Sequence, residues 1–134
     1  MNRSLKLLFF AALVMNLSCR EPLVNSEDAK LENNLVGTWI LVSTFPETPG
    51  EIQLTFRDDL SLHVYSKTAT NPPVVRDEEW HFFVDDKQIV MFRDEIDTNG
   101  QPYTQYDYYP IKSLTHKELV FVNLERIQQT YARN

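Results

Sequence analysis

Val36-Gly37-Thr38-Trp39-Ile40-Leu41-Val42-Ser43-Thr44-Phe45 is the stretch that decides the fold. It is rich in β-branched and aromatic residues, which suit a pleated, half-buried surface. It also alternates. Trp39, Leu41, Ser43 and Phe45 fall on one face, and Ile40, Val42 and Thr44 on the other. A period of two predicts a strand. Pro46 and Pro49 end it, because proline donates no ladder hydrogen bond. Downstream the pattern repeats. Ile52, Leu54 and Phe56 alternate, Asp58-Asp59 makes a turn, and Leu60, Leu62 and Val64 alternate again before a loop over residues 70–73. A fourth strand over 78–84 sets Trp80, Phe82 and Val84 on one side. Asp85-Asp86-Lys87 turns the chain into a fifth around Ile89, Val90, Met91 and Phe92. Asp97-Thr98-Asn99-Gly100 is a hairpin signal, since Asn-Gly accepts positive φ at both central positions. A Tyr-rich sixth strand over 103–114 carries Pro110, which implies a bulge or an edge. A turn at 115–117 leads to strands over 119–122 and 127–133.

Strands about a dozen residues apart, joined by turns too short for crossover helices, must run antiparallel to their neighbours. The expected fold is all-β: an eight-stranded antiparallel up-and-down barrel, whose closure removes both sheet edges. A two-sheet sandwich is the alternative. Upstream of the strands, Leu31 and Leu35 are four apart, Glu27 and Asp28 suit a helix N-terminus, and Asn25 or Ser26 can cap it. A short helix is expected before the barrel.

The composition limits what such a domain can do. The chain has 134 residues, a length for one domain, and 43% are hydrophobic, enough for a packed core. A net charge of -6 argues against nonspecific nucleic-acid binding, which needs Lys and Arg on phosphates. Cys19 is the only cysteine, so no intramolecular disulfide and no cysteine-based zinc site can form. With three glycines no Gly-rich phosphate loop can be written.

The N-terminus reads as an address. Arg3 and Lys6 precede an apolar run over residues 5–15, and Asn16-Leu17-Ser18-Cys19 closes it. A basic head, a short apolar run and a small residue form a secretory signal, and the run is too short to span a membrane. The segment resembles a bacterial lipoprotein signal, with Ser18 in the small position before the cysteine that receives lipid. That resemblance implies a leader over 1–18 and a mature chain from Cys19, which the residue patterns divide into a tether and short helix over 19–34 and a barrel domain over 35–134. It implies diacylglycerol on Cys19 with an added acyl chain such as palmitate, which together anchor a protein firmly. The expected location is the bacterial cell envelope, at the outer membrane. Charged residues after the cysteine serve as an export signal in some lipoproteins, but Arg20-Glu21 reads more simply as spacer.

Leu35-Val36-Gly37-Thr38-Trp39-Ile40-Leu41 resembles the Gly-x-Trp opening of lipocalins, and more closely that of small lipocalin-like domains in bacterial lipoproteins. The order of later motifs fits: Leu54-Thr55-Phe56, Trp80-His81-Phe82, Ile111-Lys112-Ser113-Leu114-Thr115, Glu118-Leu119-Val120 and the closing Tyr131-Ala132-Arg133. The resemblance implies that Trp39 plugs one barrel end, that Arg133 or Arg126 stacks on its indole, and that Gly37 gives room for close approach.

No catalytic constellation stands out. The acidic clusters Asp58-Asp59, Asp77-Glu78-Glu79, Asp85-Asp86 and Asp94-Glu95 read mostly as solvated turns. Residues 95–100 only faintly match a calcium loop. His63 and His81 alternate with apolar positions and should face outward, and His116 sits in a turn. No cofactor, metal or catalytic residue is expected, and no enzymatic activity. The expected function is a lipid-anchored binding module for a small apolar or amphipathic ligand, lined by Leu54, Phe56, Leu62, Val64, Trp80, Phe82 and Met91. The alternative is a filled barrel that shows a Tyr- and Asp-rich surface to an envelope protein; of Tyr103, Tyr106, Tyr108 and Tyr109, inward ones would line the pocket and outward ones this surface.

Overall fold

Each alternating run becomes a strand with one buried face, and the strands close on themselves. A computed structural model of the chain describes residues 26–47 and 49–134. Helix α1 (Ser26–Leu35) precedes β1 (Gly37–Phe45), β2 (Gly50–Phe56), β3 (Ser61–Thr68), β4 (Val75–Asp85), β5 (Gln88–Ile96), β6 (Pro102–Leu114), β7 (Glu118–Val122) and β8 (Gln128–Arg133). Strand order follows chain order, and β8 returns to pair with β1, giving a closed antiparallel barrel. This up-and-down closure excludes the two-sheet sandwich.

Register puts the apolar sets on one inner face. Trp39 opposes Leu54, Leu54 opposes Val64, Leu62 opposes Trp80, and Phe82 opposes Met91. Trp39, Phe56, Leu62, Phe82, Ile89, Leu119 and Tyr131 are buried in one core cluster. A β-bulge between Leu41 and Ser43 corrects one expectation. The extra residue shifts the alternation, so Thr44 now opposes the buried Gln129, and Phe45 is 78% exposed instead of sharing the face of Trp39. A second bulge lies between Ile111 and Ser113, just beyond Pro110.

Helix α1 covers one end of the barrel. Leu35 is fully buried and Leu31 packs against the same core. The helix's acids serve a second purpose. Asp28, itself buried, accepts hydrogen bonds from the Asp86 and Lys87 amides at 3.1 Å each, and Glu32 accepts one from the Val84 amide at 3.1 Å. Asp86 and Lys87 both have left-handed φ (47° and 58°), the geometry of a tight hairpin turn. The turn's amides thus find carboxylates instead of water. Asn25 and Cys19 lie outside the described residues. Helix, barrel and the core they enclose all fall within residues 26–134, so this segment has what a self-standing fold needs.

The other end is looser. β1 pairs with β8 as far as Phe45 but with β2 only over Gly37 to Ile40. β4 pairs with β3 from Val75 but with β5 only from His81 onward. β6 likewise pairs with β5 from Pro102 but with β7 only from Ile111, so three seams part toward this end, which we call the mouth. The β1–β2, β3–β4, β5–β6 and β7–β8 connections surround it.

Candidate binding cavity

The inner face changes chemistry along the barrel axis. On β4 the inward positions run Val84, Phe82, Trp80, Glu78, Arg76, from buried apolar to charged. On β5 they run Ile89, Met91, Arg93, Glu95, and on β6 Ile111, Tyr109, Asp107, Gln105. Tyr131 gives way to Gln129 on β8, and Val64 to Ser66 on β3. The floor is apolar and the mouth polar.

Inside the mouth lies a cavity of about 350 Å3, within the roughly 300–1,000 Å3 span of small-molecule sites. Leu54, Val64, Met91, Phe121 and Tyr131 form its floor, and Ile52, Ser66, Arg76, Tyr109, Asn123, Leu124, Glu125 and Gln129 its wall. An outer space of about 470 Å3 shares Ile52, Ser66, Arg76 and Gln129 and reaches Leu41 and Thr44 on β1. A third space, about 740 Å3, is lined by β1, the loop that follows it and Gly50 at the start of β2.

The floor is held by rings. Tyr131 stacks on Phe121 with centroids 5.1 Å apart, and Tyr109 meets Phe121 edge-on at 5.5 Å. The Tyr131 phenol donates to Gln129 Oε1 at 3.1 Å. Burial pushes the Tyr131 phenol up, and the Tyr109 phenol is pushed up to about 12, first by burial and then by the Asp107 carboxylate beside it. Both remain neutral hydrogen-bond donors across the physiological range.

An ion network fills the β4–β6 side of the mouth. Arg93 lies 4.2 Å over the Trp80 ring, reaches Glu78 at 3.0 Å and pairs through Nε with Glu95. The Trp80 indole donates to the same Glu78 at 3.1 Å. Arg93 thereby ties β5 to β4 where their backbones have parted. A cation over an indole with two carboxylates beside it is a favourable electrostatic arrangement for a half-buried charge.

Of the residues expected to line a pocket, Leu54, Val64 and Met91 border the cavity. Phe56, Leu62 and Phe82 are packed into the core, with Phe56 edge-on to Phe82 at 4.8 Å, and Trp80 lies under Arg93. Sequence reading missed Ser66, Arg76, Phe121, Gln129 and Tyr131, and it left Tyr109 open between pocket and outer surface. The signal that could have found them is parity, since each lies on the inward alternation of its own strand.

At the opposite end Trp39 is fully buried, and its indole donates to the Leu35 carbonyl at 2.7 Å. Arg133 lies 4.3 Å over the Trp39 ring and donates to the Val36 and Asn34 carbonyls at 2.7 and 2.6 Å. Arg126 stands instead in the β7–β8 connection at the mouth. A Cβ on Gly37, whose φ is +136°, would lie 2.6 Å from Arg133 Nη1. The guanidinium occupies the space a side chain would take.

The acidic turns build backbone. Asp59 accepts from the Ser61 amide and hydroxyl at 2.9 and 2.6 Å, and these bonds hold its carboxyl below the usual range. Asp97 accepts from the Asn99 and Gln101 amides, each at 2.8 Å. Asp77, Glu78 and Glu79 are different: they lie within β4, where Asp77 meets His63 at 2.6 Å and Glu79 meets Arg57 at 2.9 Å on the outer face. His81 stacks outside the barrel on Phe92 at 5.3 Å. Compared with known proteins, the chain matches no protein-family model and no curated protein.

Proposed function

We propose that this chain is a lipid-anchored, lipocalin-like binding module of the bacterial cell envelope. It holds a small apolar or amphipathic molecule in the barrel mouth and performs no catalysis. The observation that carries the reading is the cavity of about 350 Å3 within the barrel, apolar below and polar above. The leader supports the anchoring: Cys19 is the sole cysteine and closes a basic-then-apolar segment. The test is mass spectrometry of residues 20–134 under native and denaturing conditions after mild purification. A discrete extra mass that disappears on denaturation is expected. Equal masses in both states, together with no uptake of a neutral hydrophobic probe, would overturn the reading.

One observation favours the second reading, a protein-interaction module. The outer face of β4, β5 and β6 carries an aromatic strip: His81 on Phe92, Phe92 on Tyr106 at 5.7 Å, and Phe83 on Phe92 at 5.8 Å. Tyr106 and Tyr108 are about half exposed on this face. Aromatic surfaces of this kind are enriched at protein interfaces. Binding of an envelope protein that is lost on Tyr106→Ser but indifferent to the cavity would favour it.

A further inference from the structure

The charges that face the mouth are nearly all spoken for. Arg93 is shared by Glu78 and Glu95, and Gln105 donates to Asp107. Away from the mouth, Arg57 pairs with Glu79, Lys87 with Glu27, and Arg133 with two carbonyls. Arg76 is the cation on the inward face of a strand that is not. It is the next inward position of β4 beyond Glu78, and it borders both the inner cavity and the outer space. Among the described residues it makes no ion pair and no side-chain hydrogen bond.

Its surroundings are those of an anion site above an apolar floor. Ser66 is its cross-strand partner and lines the same cavity. Gln129 stands on the opposite wall, and because its Oε1 accepts from Tyr131, the carboxamide nitrogen is the end that can serve an acceptor. One acid, Glu125, also borders the inner cavity, from the β7–β8 connection, and it does not pair with Arg76. A guanidinium presents a planar fork of donors that matches a carboxylate or phosphate in bidentate fashion.

We infer that the barrel takes an anionic amphiphile, with its apolar body on Leu54, Val64, Met91 and Phe121 and its head group on Arg76, Ser66 and Gln129. This rests on the reading of the barrel as a binding module and adds the sign of the ligand's head. A carboxylate and a phosphate share the required chemistry.

The test uses residues 20–134, freed of bound lipid and loaded with the neutral probe N-phenyl-1-naphthylamine. The probe is displaced by decanoate, decyl phosphate, decanol or decylamine, which differ only at the head. The anions are expected to displace it at roughly ten-fold lower concentration than decanol, the scale of one charge-assisted hydrogen-bond pair. Whichever anion is stronger names the head as fatty acid or phosphorylated lipid. Arg76→Gln should remove this advantage and leave decanol within about two-fold, and Glu125→Gln should strengthen the anions. Arg76 is exposed, so an unchanged thermal melt of its variant is expected. Decanol as potent as decanoate, or an Arg76→Gln barrel that keeps its anion preference, would overturn the inference while leaving a binding cavity. Failure of probe and decanol alike to bind would overturn the cavity reading itself.

Discussion

The two ends of this barrel are built from the same strands and do opposite things. At the helix end Trp39 is fully buried, its indole nitrogen is bonded, and Arg133 covers its face while gripping two carbonyls. At the mouth the backbones of β1 and β2, of β4 and β5, and of β6 and β7, separate, and the inward side chains become Ser66, Arg76, Glu78, Arg93 and Gln129. Exposed apolar residues follow the same division. Phe45 and Ile96 at the mouth ends of β1 and β5, and Val74 and Leu124 on the β3–β4 and β7–β8 connections, are all more than half exposed. Alternation places a residue inside or outside the barrel, but position along the axis decides whether an inside residue fills space or lines it. Stability should therefore reside at the helix end, leaving the mouth free to bind.

The sharpest way to break this contrast is Trp39→Ala, which empties the plugged end. Its cost should be about 3–5 kcal/mol, the scale of a large buried aromatic removed from a core. It is measured as the change in urea-unfolding free energy. A loss no larger than that of a mouth substitution would erase the distinction. Gly37→Ala comes next, at about 1–3 kcal/mol, because the new methyl meets Arg133 Nη1 and an alanine must hold a left-handed φ. Its partial rescue by a further Arg133→Ala change would identify the guanidinium as the obstacle.

Tyr109, on the cavity wall, sharpens the contrast through pH. Its phenol loses its proton at about 12 in the folded barrel against 10 for the ordinary group. The folded state therefore favours the protonated form. That contribution is intact below pH 10 and is lost as pH rises from 10 through 12. Tyr109→Phe should make the alkaline loss of stability shallower in this window, as read from urea midpoints at successive pH values. The smallest effect belongs to Ser66→Ala at the mouth, within about 0.5 kcal/mol, because the site is lined but not packed. A larger cost there would show that the mouth, too, is structural.

The barrel was legible because its evidence is periodic. Trp80, Phe82 and Val84 announce a strand whose inner face is apolar, and the short turns leave antiparallel pairing as the only solution. Single-residue events escaped the pattern. The bulge after Leu41 leaves no mark that alternation can register, so Phe45 was expected on the wrong face. The helix was readable from Leu31 and Leu35, but the service of Asp28 and Glu32 to the β4–β5 turn depends on packing between distant segments. The cavity was the least legible part. Arg76, Glu78 and Arg93 look like ordinary outward polar residues, because apolarity was the only sign used for the inside. Leu54, Val64 and Met91 were found since they carry that sign, while Phe56, Leu62 and Phe82 carry it equally and lie deeper.

The clasp of Arg133 also has a mechanical meaning. β1 and β8 run antiparallel, with Trp39 opposite Arg133 and the Asn134 amide bonded to the Thr38 carbonyl at 2.9 Å. The start of β1 and the end of β8 thus emerge side by side. Tension applied between them would open this pair like a zipper, loading one rung at a time instead of shearing all rungs together. The guanidinium, the indole and the carbonyls of Asn34 and Val36 sit on the first tooth, where such a load arrives before any other.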